Sequence, residues 1–311
     1  MNIQQFRYVL AVAEHRHFET AAEKCFISQS TLSTMILKFE EEIGITIFDR
    51  KKRPMEITQE GEKIIEQLHI ISNEISNLEE LSKEIKGELK GVIKIACIPT
   101  VAPFLLPRFL VDFAYKYPEI TIEVSELTTE EIVRQLKLRD LDIGIVSTPL
   151  NESELTEYPL YDEPFVLYET TSKEVQKGTA ISKINMNNFW LMEEEHCMRS
   201  QVLNICNQSN DNINSSFNIN FKASSIDSLI RFVKANKGRT LLPFLATTDF
   251  SVEDQKHIRN LSRPVPFRTI GLLTHQHFPK NKILHLLQQE INHAIRDVKT
   301  LRCYDFRMLR H

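Results

Sequence analysis

Between residues 58 and 88 the sequence carries an apolar stripe that has nothing of its own to face. Ile64, Leu68, Ile71, Ile75, Leu78, Ser82 and Ile85 step by 4, 3, 4, 3, 4 and 3, and only Ser82 interrupts the apolar run. Such a repeat is the a/d seam of a coiled coil on one long helix. Thr58 is placed to cap its start, and Gly87 and Gly91 bracket a flexible exit. A solitary helix with so narrow a stripe has little to bury it against, so its natural partner is a second copy of the chain. The alternative is one long helix packed on its own domain. Either way the seam cuts the chain into three regions: 1–58, a linker at 59–89, and 90–311.

Ahead of the seam, Phe6, Val9, Leu10 and Ala13 recur at the i, i+3, i+4 and i+7 positions of an amphipathic helix. A second short helix turns Phe18, Ala21, Ala22 and Cys25 inward. Ser28 then caps a third, whose apolar positions are Leu32, Met35, Ile36 and Phe39. Two helices joined by so short a turn match a helix-turn-helix, whose second helix enters the DNA major groove. Its outward residues are Gln29, Ser30, Thr31, Ser33 and Thr34, with Lys38 further along, all able to reach phosphates or base edges. The helix closes at Gly44. A hairpin then runs from 45–48 through the basic tip Arg50, Lys51, Lys52 and Arg53 to 55–57. Such a wing rests on the DNA backbone, with Arg50 and Arg53 on phosphates. The bland alternative is a small helical domain with a solvated charge cluster.

After Gly91, strands alternate with helical stretches: a strand at 92–97, a helix at 103–117, a strand at 120–124, a helix at 130–138 and a strand at 141–146. This is the βαβ rhythm of a mostly parallel sheet. A second set runs through the Cys197 region, 218–222, a helix near 227–234 and a strand at 240–242. A returning strand at 268–274 and a closing helix at 281–301 follow.

The totals narrow the function. At 311 residues the chain has room for two or three cores. It is 42% hydrophobic and 26% charged, with no apolar run long enough for a bilayer and no leader-like N-terminus, so a cytoplasmic, membrane-free protein is expected. A net charge of −4 does not advertise nucleic-acid binding, but local distribution matters more than the sum. The five cysteines (25, 97, 197, 206 and 303) are odd in number and scattered, unlike a structural disulfide framework. Nothing matches a catalytic triad, a Walker loop or a zinc site, and His196 has no CxxC or HxxxH partner. No enzyme activity, cofactor or metal is expected.

The run AAEKCFISQSTLSTMILKFEEEIGITIFDR resembles the DNA-binding signature of LysR-type transcriptional regulators through Ala21, Ala22, Ser28, Gln29, Leu32, Ser33, Glu40, Gly44, Phe48 and Arg50. Ser30 departs from it, standing where the family often has proline. The resemblance implies an all-α winged helix-turn-helix, a linker helix that pairs two chains, and a two-lobed α/β effector domain similar to periplasmic binding proteins. The lobes would divide at about 90–163 with 268–311, and about 164–267. It also implies double-stranded promoter DNA as a partner, RNA polymerase as another, and assembly as a homo-oligomer, dimeric through the linker and tetrameric overall.

Four further strings, IPTVAPFLLP, HCMRSQVLNIC, TLLPFLA and RTIGL, are similar to the OxyR-type hydrogen-peroxide sensors within that class. Carried over position by position, Cys197 is the peroxide-reactive thiol and Cys206 the resolving one. Thr100, Thr128, His196 and Arg268 help to bind and polarise the peroxide, and the regulator controls antioxidant genes. Read without the resemblance, either threonine is better explained as a helix cap or a turn residue than as a ligand contact. On one continuous helix the two cysteine Cα atoms stand roughly 13 Å apart, whereas a disulfide needs about 4.4–6.8 Å. A Cys197–Cys206 bond would therefore require the segment between them to refold. A regulator triggered by a small co-inducer between the lobes, and a thiol peroxidase, are the rival readings.

Overall fold

The computed structural model describes residues 1–52, 55–170, 179–181, 184, 186, 188–192, 197–206, 221 and 223–296. Arg53, His196, Cys303, most of the strand expected at 218–222 and the end of the closing helix lie outside them, as do the side chains of Cys197 and Arg199. The chain separates into two compact units, one built on Met1–Gly87 and one on residues 88–137 and 141 onward.

The first unit opens with α1 (Ile3–His15), α2 (Phe18–Lys24) and α3 (Gln29–Ile43). Each starts where a side chain can satisfy an orphan helix N–H. Asn2 forms a reciprocal capping box with Gln5, and Ser28 accepts from the Thr31 amide. Phe6, Val9, Val12, Ala21, Ala22, Leu32, Ile36, Phe39 and Phe48 close a core in which Phe6 and Phe39 pack edge to face. Leu10, Ala13, Cys25 and Met35, expected inside, are only partly covered. Gly44 ends α3 with φ +71°, a left-handed cap that a Cβ would strain. The wing is a minimal ladder, β1 (Phe48–Asp49) antiparallel to β2 (Glu56–Ile57).

The long helix, α4 (Gln59–Lys86), starts from Thr58, whose Oγ1 accepts from the Gly61 amide, and stops at Gly87 with φ +77°. Its seam is not uniform. Leu68 is buried in the N-terminal core and Ile64 and Ile71 pack against it. Leu78, Leu81 and Ile85 are left exposed. Gly61 explains the close docking of the first turn, because a Cβ there would meet the Ile47 carbonyl at 2.4 Å. Thus the first half of the stripe belongs to the chain's own core, and the second half faces outward.

The second unit contains β3 (Gly91–Cys97), α5 (Ala102–Leu105), α6 (Leu110–Lys116), β4 (Ile120–Glu126), α7 (Thr129–Lys137), β5 (Ile143–Thr148) and β6 (Leu155–Glu169). It continues with α8 (Cys197–Cys206), α9 (Ile226–Ala235), β7 (Arg239–Pro243), α10 (Val252–Gln255), β8 (Ile258–Arg259), β9 (Phe267–His275) and α11 (Asn281–Arg296). The sheet runs β4-β3-β5-β9-β6-β7, with β8 beside β6. Of these strands only β4, β3 and β5 pair in parallel; β9, β6, β7 and β8 pair antiparallel, so the sheet is mixed rather than mostly parallel. The βαβ crossovers impose the parallel part, whereas β6 and β9 run past each other in opposite directions.

Two cores flank that pair. One gathers Ile93, Ile95, Ile143, Ile145, Leu272, Leu287 and Ile291; the other gathers Val166, Tyr168, Leu229, Val233, Leu241 and Leu242. The strand β6 serves both, with Leu155 in the first and Phe165 to Tyr168 in the second. Its prolines 159 and 164 mask it in the sequence, and the ladder with β9 shifts register between Pro159 and Tyr161. The helix expected at 103–117 is split by a 3-10 turn at Leu106–Arg108, because Pro107 lacks an N–H and its ring clashes with the preceding turn. Among the described residues, no helix is long and apolar enough to cross a membrane.

Candidate functional site

Two places hold the predicted site residues. On the first unit, Gln29, Ser30, Thr31, Thr34 and Lys38 are exposed on α3 and Ser33 is half-exposed. The first turn is knitted by hydroxyls: Ser28 Oγ lies 2.9 Å from Ser30 Oγ and 2.8 Å from Thr31 Oγ1, and Thr34 Oγ1 donates to the Ser30 carbonyl at 2.9 Å. Gln29 extends past this lattice with its amide uncommitted among the described residues. Arg50 is less free than its place on the wing suggests. Its Nη2 donates to Glu40 Oε2 at 3.1 Å, its Nη1 to Ser33 Oγ at 3.0 Å, and its guanidinium lies 5.0 Å from the Phe18 ring centroid. The other Glu40 oxygen, Oε1, accepts from the Ile47 amide at 2.6 Å and the Phe48 amide at 3.1 Å. Glu40, on the inner face of the reading helix, thereby fixes the entry to the wing and aims Arg50.

On the second unit the site lies beyond the C-terminal ends of β3 and β5, where ligands of open α/β sheets bind. Thr100 follows β3 and is buried. Arg268, on β9, donates from Nη1 to Thr100 Oγ1 at 2.9 Å and from Nη2 to the Thr100 carbonyl at 3.1 Å. Its Nε donates to Glu163 Oε2 at 2.8 Å, and both charged side chains are 1% exposed. Glu163 Oε1 accepts from the Leu245 amide at 2.9 Å, tying the turn that follows β7 to this knot. With its oxygen already accepting from Arg268, the Thr100 hydroxyl has its proton left to donate. Arg268 itself is sealed behind the threonine. Thr128 caps α7, accepting from the Glu131 amide at 3.3 Å.

The helix α8 begins at Cys197 and ends at Cys206. It is anchored by Met198 and Val202, buried in the second core, with Leu203 and Ile205 packed against it. Gln201 Nε2 donates to Ser147 Oγ at 2.7 Å, which fastens the helix to the last residues of β5. Cys206 is a free, half-buried thiol whose pKa burial pushes up to about 11. Cys97 is free and sealed, and burial, reinforced by Glu126, holds it firmly as a thiol. Among the described residues, no three His, Cys, Asp or Glu side chains gather closely enough to hold a metal ion.

Sequence reasoning missed Glu163, Ser147 and Gln201 altogether and saw Glu40 only as part of a motif. An acidic residue directly before a strand-like run, as in YDEPFVLY, was the available signal for Glu163. For Ser147 and Gln201 no signal existed, since their meeting depends on packing between distant segments.

Residues 3–62 match the family described as the bacterial regulatory helix-turn-helix protein, lysR family, and residues 86–294 match the LysR substrate binding domain. A hydrogen peroxide-inducible genes activator of Dickeya chrysanthemi is 32% identical over 275 residues, covering 88% of this chain and 89% of the relative. The DNA-binding transcriptional dual regulator OxyR of Escherichia coli K12 is also 32% identical, with the same coverage of 88% and 89%. A solved full-length OxyR carrying a cysteine-to-aspartate replacement, from Pseudomonas aeruginosa, superposes with a TM-score of 0.74 at 29% identity, covering 94% of this chain and 98% of that one. With both halves matched and the resemblance extending over nearly nine-tenths of the chain, this protein belongs to the LysR family of transcriptional regulators, in its OxyR-type branch.

Proposed function

We propose that this protein is a cytoplasmic DNA-binding activator that responds to hydrogen peroxide through reversible Cys197–Cys206 disulfide formation. The observation that carries the reading is the span of α8, which has the two cysteines as its first and last residues. Cys197 opens the helix, and to attack peroxide it must react as the thiolate, the nucleophilic form of a cysteine. Cys206 stands at the opposite end, where burial raises its pKa to about 11 and keeps it protonated. As a continuous helix, α8 holds the two Cα atoms roughly 13 Å apart, well outside disulfide range.

The chemistry proceeds in two balanced steps. The Cys197 thiolate attacks one peroxide oxygen, an S–O bond forms, the O–O bond breaks, and hydroxide leaves, giving the sulfenic acid. Cys206 then attacks that sulfur, an S–S bond forms, and the sulfenic oxygen departs as water. Thr100 donates to the peroxide, oriented by Arg268 from behind. Thr128 and His196 complete the peroxide site, the latter from outside the described residues. The second step requires α8 to unwind, which changes the surface that the effector presents to other copies.

The exposed seam residues of α4, Leu78 and Ile85, pair two chains and set two α3 helices on two half-sites. Gln29, Ser30, Thr31, Ser33, Thr34 and Lys38 face the groove, with Arg50 and Arg53 on the backbone; further effector contacts make a tetramer that engages RNA polymerase. Mass spectrometry after stoichiometric peroxide tests the core of this reading, and absence of a Cys197–Cys206 link ends it. Cys197→Ser separates a redox trigger from a co-inducer, because only the former loses its peroxide response. A thiol peroxidase would instead sustain turnover with a reductant.

A further inference from the structure

We propose that Thr34 reads a thymine methyl group in the major groove and so helps to set which sequence α3 prefers. This assignment rests on the DNA-binding reading above and is independent of the peroxide chemistry. The buried side of α3 is Leu32, Ile36, Phe39 and Glu40. At about 3.6 residues per turn, the opposite side is centred on the exposed Thr34, with exposed Ser30 one turn before it and exposed Lys38 one turn after. Thr34 therefore occupies the middle of the face that a recognition helix turns toward base edges.

A threonine there has two groups to offer, a hydroxyl and a methyl. The hydroxyl of Thr34 is already committed: Oγ1 donates to the Ser30 carbonyl at 2.9 Å, the back-bond open to a threonine within a helix. Its proton is thus turned onto the helix's own backbone and away from base acceptors such as guanine N7 and O6. With Oγ1 drawn back along the helix, the γ-methyl is the group left to meet the groove. The neighbouring hydroxyls are tied down as well, Ser28 with Ser30 and Thr31, and Ser33 with Arg50. Thymine alone among the four bases displays a C5-methyl in the major groove, and a threonine methyl is one of the apolar groups that meet it. Contact between two methyls needs no donor, which suits a residue whose hydroxyl is engaged elsewhere.

The probe is a duplex selected from a random pool by the full-length protein, in which each thymine is then replaced in turn by deoxyuridine. That replacement removes the C5-methyl and keeps every hydrogen-bonding group of the base. At the position facing Thr34 the unaltered protein should bind the deoxyuridine duplex about fourfold more weakly, the weight of one methyl withdrawn from contact. Thr34→Ser, which keeps the hydroxyl and deletes the methyl, should bring the ratio of the two affinities at that position to unity. Thr34→Val, which keeps a methyl and deletes the hydroxyl, should retain the penalty. So should Thr31→Ser, which removes the neighbouring methyl. A penalty that survives Thr34→Ser, or that vanishes in Thr34→Val or Thr31→Ser, would overturn the assignment. A selected duplex in which no thymine is methyl-sensitive would overturn it too, leaving the Thr34 bond as a local feature of the helix. Each result is a ratio measured on one variant, so a general loss of affinity or of folded protein cancels. If no duplex is enriched from the pool, the DNA-binding reading itself fails, which is a separate and recognisable result.

Discussion

The same four-part device occurs in both units, once sealed and once open. In the first, Glu40 binds two backbone amides with one oxygen and Arg50 with the other, and Arg50 holds the Ser33 hydroxyl. In the second, Glu163 binds the Leu245 amide and Arg268, and Arg268 holds the Thr100 hydroxyl. The Arg268 and Glu163 side chains are 1% and 1% exposed, while those of Arg50 and Glu40 are 30% and 8%. A guanidinium fully enclosed by its partners can only position a neighbour. One that keeps nearly a third of its surface open can do that and still meet a phosphate. The contrast separates a residue that shapes a site from one that also touches what the site binds.

The sharpest way to break this comparison is Glu163→Ala. It strands a buried guanidinium, and the effector transition in urea unfolding should lose about 3–5 kcal/mol. Glu40→Ala removes charge-assisted bonds from a partly open arginine that water can rescue, so the loss should be smaller, about 1.5–3 kcal/mol, accompanied by weaker DNA binding. If the two losses are equal, exposure is not what distinguishes the two knots. Arg50→Ala sharpens the point through salt. On an operator with two half-sites, the slope of log K against log salt should fall by about one for each phosphate no longer neutralised, as read from binding titrations at several ionic strengths. Ser33→Ala should change stability by less than about 0.5 kcal/mol, since Arg50 keeps its carboxylate.

A fourth contrast concerns the two ends of α8. The folded Cys206 pKa is raised to about 11, so its thiolate fraction, and with it the alkylation rate, should keep rising about tenfold per pH unit well past the ordinary 9.0. A rate that levels off near 9 would mean that the thiol is already solvated and the helix end already open.

Much of the first unit was legible because its rules are local. Ser28 and Thr58 as caps, Gly44 as a terminator and the outward set on α3 all follow from chemistry within four residues. The α4 seam was legible as a pattern, yet its division was not. Ile64 and Leu68 obey the same heptad as Leu78 and Ile85, and only the docking of Gly61 against Ile47 decides that the first pair is covered by the chain itself. In the second unit the strands of the first core were readable, while β6 hid behind Pro159 and Pro164 and α6 was merged with α5 across Pro107.

What the order of residues alone determined is therefore periodic or motif-borne: a helix-turn-helix, a heptad stripe along one long helix, and two cysteines set nine residues apart. What tertiary structure decided is which hydroxyls and amides remain available. Arg268 takes one lone pair of the Thr100 hydroxyl and hides itself, and Ser147 captures one end of the Gln201 amide while the other meets no partner among the described residues. Hydrogen-bond vacancies arise from partners 54 to 168 residues apart in the chain, so no local pattern encodes them. They come into being only when separate strands and helices converge on one crevice.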